Sequence, residues 1–142
     1  MNKKKLENEI VVKSSTDNLS KIRNFTRKHA ASSGFDDDTV SKIILAVDEA
    51  CTNIVKHAYH YFPQGEITIN IKSNKSKFKI TITDSGSKFN PNEIEEPNLR
   101  EYHKQKKVGG LGMFLMKKLM DEVNYHTLTK DRNQVVLVKY IK

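Results

Sequence analysis

Cysteine is nearly missing from this sequence. Cys51 stands alone, which excludes an internal disulfide and a cysteine metal cluster and suits a reducing compartment. Its expected place is that of a small buried apolar residue. Long apolar runs are missing as well: no stretch approaches the roughly 20 residues needed to cross a membrane. The opening MNKKKLENEI passes straight into charged residues rather than into an apolar signal core. These absences lead us to expect a cytoplasmic protein without a membrane role. Glycine is scarce, six in 142 residues, and neither GxxxxGK followed by Ser or Thr nor GxGxxG occurs. The usual P-loop and dinucleotide fingerprints therefore do not apply. There is no internal repeat and no low-complexity tract. His29, His57, His60, His103 and His126 show no metal-ligand spacing.

What is present fits one globular unit. A chain of this length buries a sizeable core without disulfides or metal and leaves no room for a second domain, so residues 1–142 are expected to form a single domain. Hydrophobic content of 37% with 30% charged residues agrees. The formal charge of +8 raises nucleic acid, an acidic membrane surface or an acidic protein as partners. The cations are scattered along the chain without forming a stripe, and aromatics do not interleave with them as in an RNA or DNA module. Direct nucleic-acid binding is not expected.

Periodicity supplies the elements. LENEIVVKS alternates as a first strand; from Thr16 or Asp17 to Gly34 the apolar residues Leu19, Ile22, Phe25 and Ala30 recur at helical spacing. A second helix runs from the acidic cluster at Asp36 to before Pro63, with Val40, Ile43, Ile44, Val47, Cys51, Ile54, Val55 and Ala58 on its apolar side. Two alternating strands follow around a Ser-Asn-Lys-Ser turn, carrying Ile67, Ile69, Ile71 and then Phe78, Ile80, Ile82 on one face. A third helix, MFLMKKLMDEV, and two strands, NYHTLT and QVVLVKYI, complete the chain. Consecutive strands with one apolar face require helices as cover, which predicts an α+β, two-layer sandwich: a mostly antiparallel sheet covered on one face by three helices.

Three stretches carry candidate chemistry. In KFKITITDSGSKF the period of two that places Phe78, Ile80 and Ile82 together also places Asp84 on their apolar side. A carboxylate there needs a partner or gives up its charge. It is either the ordinary end of a strand in an Asp-Ser-Gly turn or an acceptor for the exocyclic amine of a base such as adenine, with Gly86 admitting a flat ring close to the backbone. On the second helix Glu49, Asn53 and His57 are spaced i, i+4, i+8. They form either a solvated face or a site in which Asn53 offers a neutral oxygen to Mg²⁺ beside Glu49 as a general base. Finally, three of the six glycines fall in GGLG immediately before the third helix. Backbone N–H groups of Gly109, Gly110, Leu111, Gly112 and Met113 would suit phosphate, a structural hinge being the alternative.

Together, in this order, the stretches resemble the histidine-kinase-like (GHKL) ATPase family. AVDEACTNIVKHAYH is similar to its N box, ITDSGSKFNP to its G1 box and KKVGGLGMFLMKKLMDEV to its G2 box. The D-x-G-x-x-F-x-P form of the second box, without other domains, is similar to bacterial anti-sigma-factor serine/threonine kinases. The resemblance covers nearly the whole chain and implies a Bergerat-type ATP-binding fold. It further implies ATP between helices and sheet with adenine at Asp84, Mg²⁺ at Asn53, Glu49 as base toward the attacking hydroxyl, and the glycines around the phosphates. Pro91 to Val108 would then be the ATP lid, with Lys104, Lys106 and Lys107 near the terminal phosphate. Arg23 stands where such kinases carry a partner-contacting arginine. The implied partners are a sigma factor and an anti-sigma antagonist, whose serine or threonine is the substrate, and the implied assembly is a homodimer. The last hairpin departs from the pattern, carrying DRNQ where many relatives have a Gly-Thr pair that assists adenine binding. A protein kinase is thus expected, the alternative being an ATP- or ADP-gated binding switch that transfers no phosphate.

Overall fold

The computed structural model describes residues 7–88, 112–129 and 131–142. Its elements are β1 (Glu9–Lys13), a single 3₁₀ turn (Thr16–Asn18), α1 (Leu19–Ser32), α2 (Asp37–Asn53), a π-helical turn (Ile54–Ala58), β2 (Glu66–Ser73), β3 (Lys77–Asp84), α3 (Gly112–Leu119), β4 (Glu122–Thr129) and β5 (Arg132–Tyr140). The five strands form one sheet in the order β1-β2-β3-β5-β4, and every neighbouring pair is antiparallel. α2 is the central helix, packed between α1 and α3. The architecture is the expected α+β sandwich, with three α-helices and the antiparallel sheet among the described residues.

Register explains the core. Across the sheet Ile69, Ile82 and Val135 form one row, Ile71, Ile80 and Leu137 the next. All six side chains are buried, as are Val47, Ala50 and Cys51 of α2 and Ile54 of the π turn above them. One row further along, Ile67, Asp84 and Asn133 stand side by side. The strand parity that buries the isoleucines therefore carries Asp84 under the helices, where it is 4% exposed. Cys51 is a fully buried core residue, as its surroundings in the sequence predict.

The element ends differ from the periodicity in three places. The first helical segment is capped one residue earlier than expected, by Ser15, whose side chain accepts from the Asp17 N–H. α2 keeps α geometry only to Asn53; Tyr59 N–H then bonds to the Ile54 carbonyl at 2.9 Å, and His60 and Tyr61 end the helix with φ of 50° and 65°. Left-handed backbone at two successive non-glycine residues is unfavourable and needs external support. Ser14 gives it, donating from its hydroxyl to the Phe62 carbonyl and accepting from the Gly65 N–H at 3.0 Å. α3 stops at Leu119 rather than continuing through Asp121-Glu122-Val123. Acids sit badly at a helix C-terminus, whereas the strand reading lets Asp121 N–H bond to Val138 and pairs Val123 with Leu137. Lys139 closes the helix by donating to the Leu119 carbonyl at 2.8 Å.

Candidate functional site

Asp84 ends β3 at the sheet face covered by α2. Both hydrogen bonds that the described residues make to its carboxylate fall on Oδ1: the Gly86 N–H donates at 2.9 Å and Asn133 Nδ2 at 3.1 Å. Asn133 Nδ2 also donates to the Gly86 carbonyl at 3.1 Å. Burial pushes the Asp84 carboxyl above its ordinary range, and the bonds from Asn133 and Gly86 oppose that rise. The anion is thus held by directed donors on Oδ1 in a partly dry setting.

The turn after Asp84 is fixed against the end of α2. Ser87 N–H donates to the Ala58 carbonyl at 2.7 Å. A Cβ at position 86 would lie 2.6 Å from that same carbonyl oxygen and 2.8 Å from the Ala58 Cβ. Glycine at 86 is therefore demanded by the approach of two protein backbones, a reason different from the ring access expected from sequence. Tyr59 completes the clamp: its hydroxyl donates to the Glu66 carbonyl at 2.6 Å and accepts from Ser85 N–H at 2.8 Å. The π turn that displaces Ala58 and Tyr59 from a regular helix is what brings them to this loop.

Glu49 and Asn53 lie one turn apart in the last α-helical part of α2, both half-buried. Between them Cys51 faces the core close enough to Asp84 that the aspartate charge, after burial and the Asp48 charge, pushes its thiol upward. The Ser87 to Ala58 bond brings the turn that follows α2, one turn beyond Asn53, to the Asp84 end of the sheet. Burial pushes the Glu49 carboxyl above its usual range and the Asp48 charge adds to this, while Lys56 opposes it. A carboxyl raised in this way moves toward the range useful for accepting a proton near neutrality. His57 does not continue the row: it falls in the π turn, whose wider winding breaks the i, i+4, i+8 alignment, and it is exposed.

Arg23 is not the free helix-surface cation that its sequence position suggests. It donates from Nη1 to Asp48 Oδ1 at 2.7 Å, with 40% of its side chain still exposed. The pair joins α1 to α2 next to Glu49. Gly112 and Met113 are the first residues of α3, so the glycine run leads directly into a helix. Gly109, Gly110 and Leu111, together with the segment from Pro91 to Val108, lie outside the described residues. Two participants escaped the sequence reading, Asn133 and Tyr59. Asn133 meets Asp84 through the β3–β5 pairing, which the KDRN hairpin between β4 and β5 does not set, and Tyr59 depends on the π turn, which no periodicity announces.

The described residues thus include a carboxylate at the covered end of β3, a carboxamide and a carboxylate on α2, and a helix that begins at Gly112. The family model for the histidine kinase-like ATPase domain matches residues 12–139. The chain belongs to that family. Among its relatives are proteins named serine-protein kinase RsbW: one from Listeria monocytogenes is 34% identical over 116 residues, 79% of this chain and 73% of that protein. One from Bacillus subtilis is 32% identical over 120 residues, 79% of this chain and 71% of that protein. A solved structure, that of the SiaB-SiaC complex from Pseudomonas aeruginosa, contains a chain that shares the fold with a TM-score of 0.54 at 11% identity. That match covers 93% of this chain and 89% of the other.

Proposed function

We propose that this protein is an ATP-dependent serine/threonine protein kinase that acts as an anti-sigma factor. In this reading it phosphorylates an anti-sigma antagonist and sequesters a sigma factor. The observation that carries it is the Asp84 carboxylate, buried beneath α2 and oriented by two donors on Oδ1, an acceptor of the kind that recognition of a 6-amino purine requires. Asn53 fits Mg²⁺ through a neutral oxygen, since magnesium at phosphates keeps most of its waters and takes few protein ligands. Bound Mg²⁺ would neutralise charge on the phosphates. Glu49, four residues before Asn53 and raised by burial, would accept the proton of the substrate hydroxyl. The N–H groups before and at the start of α3, Gly109 to Met113, would receive the phosphates. Such chemistry asks the protein mainly for positioning and charge compensation.

The names of the relatives and the resemblance of the three boxes support the kinase reading. Arg23, half-exposed beside Glu49, is the residue we assign to partner contact. We further infer a cytoplasmic homodimer; no helix among the described residues is long and apolar enough to cross a membrane. The test is incubation with Mg-ATP and the antagonist protein, followed by mass spectrometry. Phosphoserine or phosphothreonine on the antagonist is expected. An antagonist that stays unmodified while ATP binds would overturn transfer and favour a nucleotide-gated binding switch.

A further inference from the structure

Asn133 lies directly opposite Asp84 on β5, in the inner row of the sheet, and is half-buried. Its carboxamide meets two acceptors, the Asp84 carboxylate and the Gly86 carbonyl, each at 3.1 Å. Acceptors on both sides leave one orientation of the amide, with the NH₂ group toward the pair. The side chain consequently joins the carboxylate to the loop that follows it, across 47 and 49 residues of sequence.

We propose that Asn133 is the positioning residue that sets base specificity. By donating to Asp84 Oδ1 and to the Gly86 carbonyl, it fixes the carboxylate against the β3 turn, presents it to the base as an acceptor and keeps it one. This rests on the reading that Asp84 meets adenine, and it adds what decides the choice. A fixed carboxylate acceptor accepts from the 6-amino group of ATP and repels the 6-oxo group of inosine triphosphate. A carboxyl that rotates, or that takes up a proton and donates, tolerates both. Burial drives Asp84 toward protonation and the Asn133 hydrogen bond opposes it, so one contact controls orientation and proton together.

The experiment is calorimetry of ATP and inosine triphosphate, with Mg²⁺, across pH 5 to 8. It uses the wild type, Asn133→Ala and Asn133→Thr, each first checked for folding by circular dichroism. Wild type should prefer ATP. Asn133→Ala should lose about tenfold of that preference, and its ATP affinity should decline at a higher pH than in the wild type. Asn133→Thr retains a hydroxyl donor and should restore part of both properties. A merely structural role predicts lower stability with an unchanged ATP to inosine triphosphate ratio and an unchanged pH profile, and that result overturns the inference. If Asn133→Ala does not fold, an unchanged ratio and profile in Asn133→Thr overturn it equally. Absence of ATP binding by the wild type would instead remove the parent reading, a failure distinguishable from the other.

Discussion

Arg23 of α1 and Asp48 of α2 are joined at 2.7 Å, and the next residue after Asp48 is Glu49. The ion pair holds two helices together and sets the electrostatics of the candidate base, because the Asp48 charge is one of the causes that push the Glu49 carboxyl upward. Replacing Arg23 by Ala removes the cation that balances Asp48, so Glu49 should titrate at a still higher pH. Carbon-detected NMR titration of the Glu49 carboxyl measures this directly. The loss of stability should stay below about 1 kcal/mol, as for other half-exposed pairs.

Gly86→Ala tests the approach of the β3 turn to the end of α2. The new methyl would sit 2.6 Å from the Ala58 carbonyl oxygen, a backbone atom that cannot swing away. Overpacking of this kind costs about 1–3 kcal/mol. Urea unfolding should show that loss, together with weaker ATP binding because the Asp84 loop must shift.

Tyr59→Phe removes a hydroxyl that bonds to both Glu66 and Ser85. The Ser85 N–H then loses its partner, a loss of about 1–3 kcal/mol where water does not replace it. Hydrogen exchange at Ser85 should accelerate relative to the sheet interior, where exchange should not change.

Asp84→Asn separates stability from function. Burial raises the folded Asp84 above its unfolded value, so the native state holds the proton more tightly. Stability contributed at this site is therefore greatest below the unfolded value, near pH 4, and declines as pH rises through the folded value. Asparagine carries no such pH dependence. The variant should be at least as stable as the wild type at pH 7, and the difference should shrink as pH falls toward 4. ATP binding should nonetheless be lost, since an amide in that place no longer offers a charged acceptor. Paired urea titrations and calorimetry check both halves.

Asn53→Ala and Glu49→Gln divide binding from transfer. Both positions are half-buried on the side of α2 away from its core residues, so stability should move by no more than about 0.5 kcal/mol. Asn53→Ala should lose Mg-dependent ATP binding. Glu49→Gln should keep ATP affinity and lose roughly 100-fold or more in phosphoryl transfer. Wild-type turnover in Glu49→Gln would exclude it as the base.

Legibility of the fold and site from sequence follows the range of the interactions involved. Alternation in ITINIKS and KFKITITD is local, and it places Asp84 on the buried face without knowledge of any other strand. The Glu49 and Asn53 spacing is equally local and survives because α2 is regular to Asn53. His57 departs from it because the π turn answers to packing, bringing Ala58 and Tyr59 to the β3 turn. The engagement of Arg23 by Asp48 spans 25 residues and leaves no periodic trace.

Sequence alone thus determined the layers, the face on which each strand residue lies and the order of three boxes, because a period of 2 or 3.6 is written in neighbouring residues. Tertiary structure alone decided which oxygen of Asp84 is engaged, why position 86 excludes a side chain and what Arg23 holds. Those depend on contacts between β3, β5 and the end of α2, elements far apart in the chain whose distances are fixed only when the helices settle on the sheet.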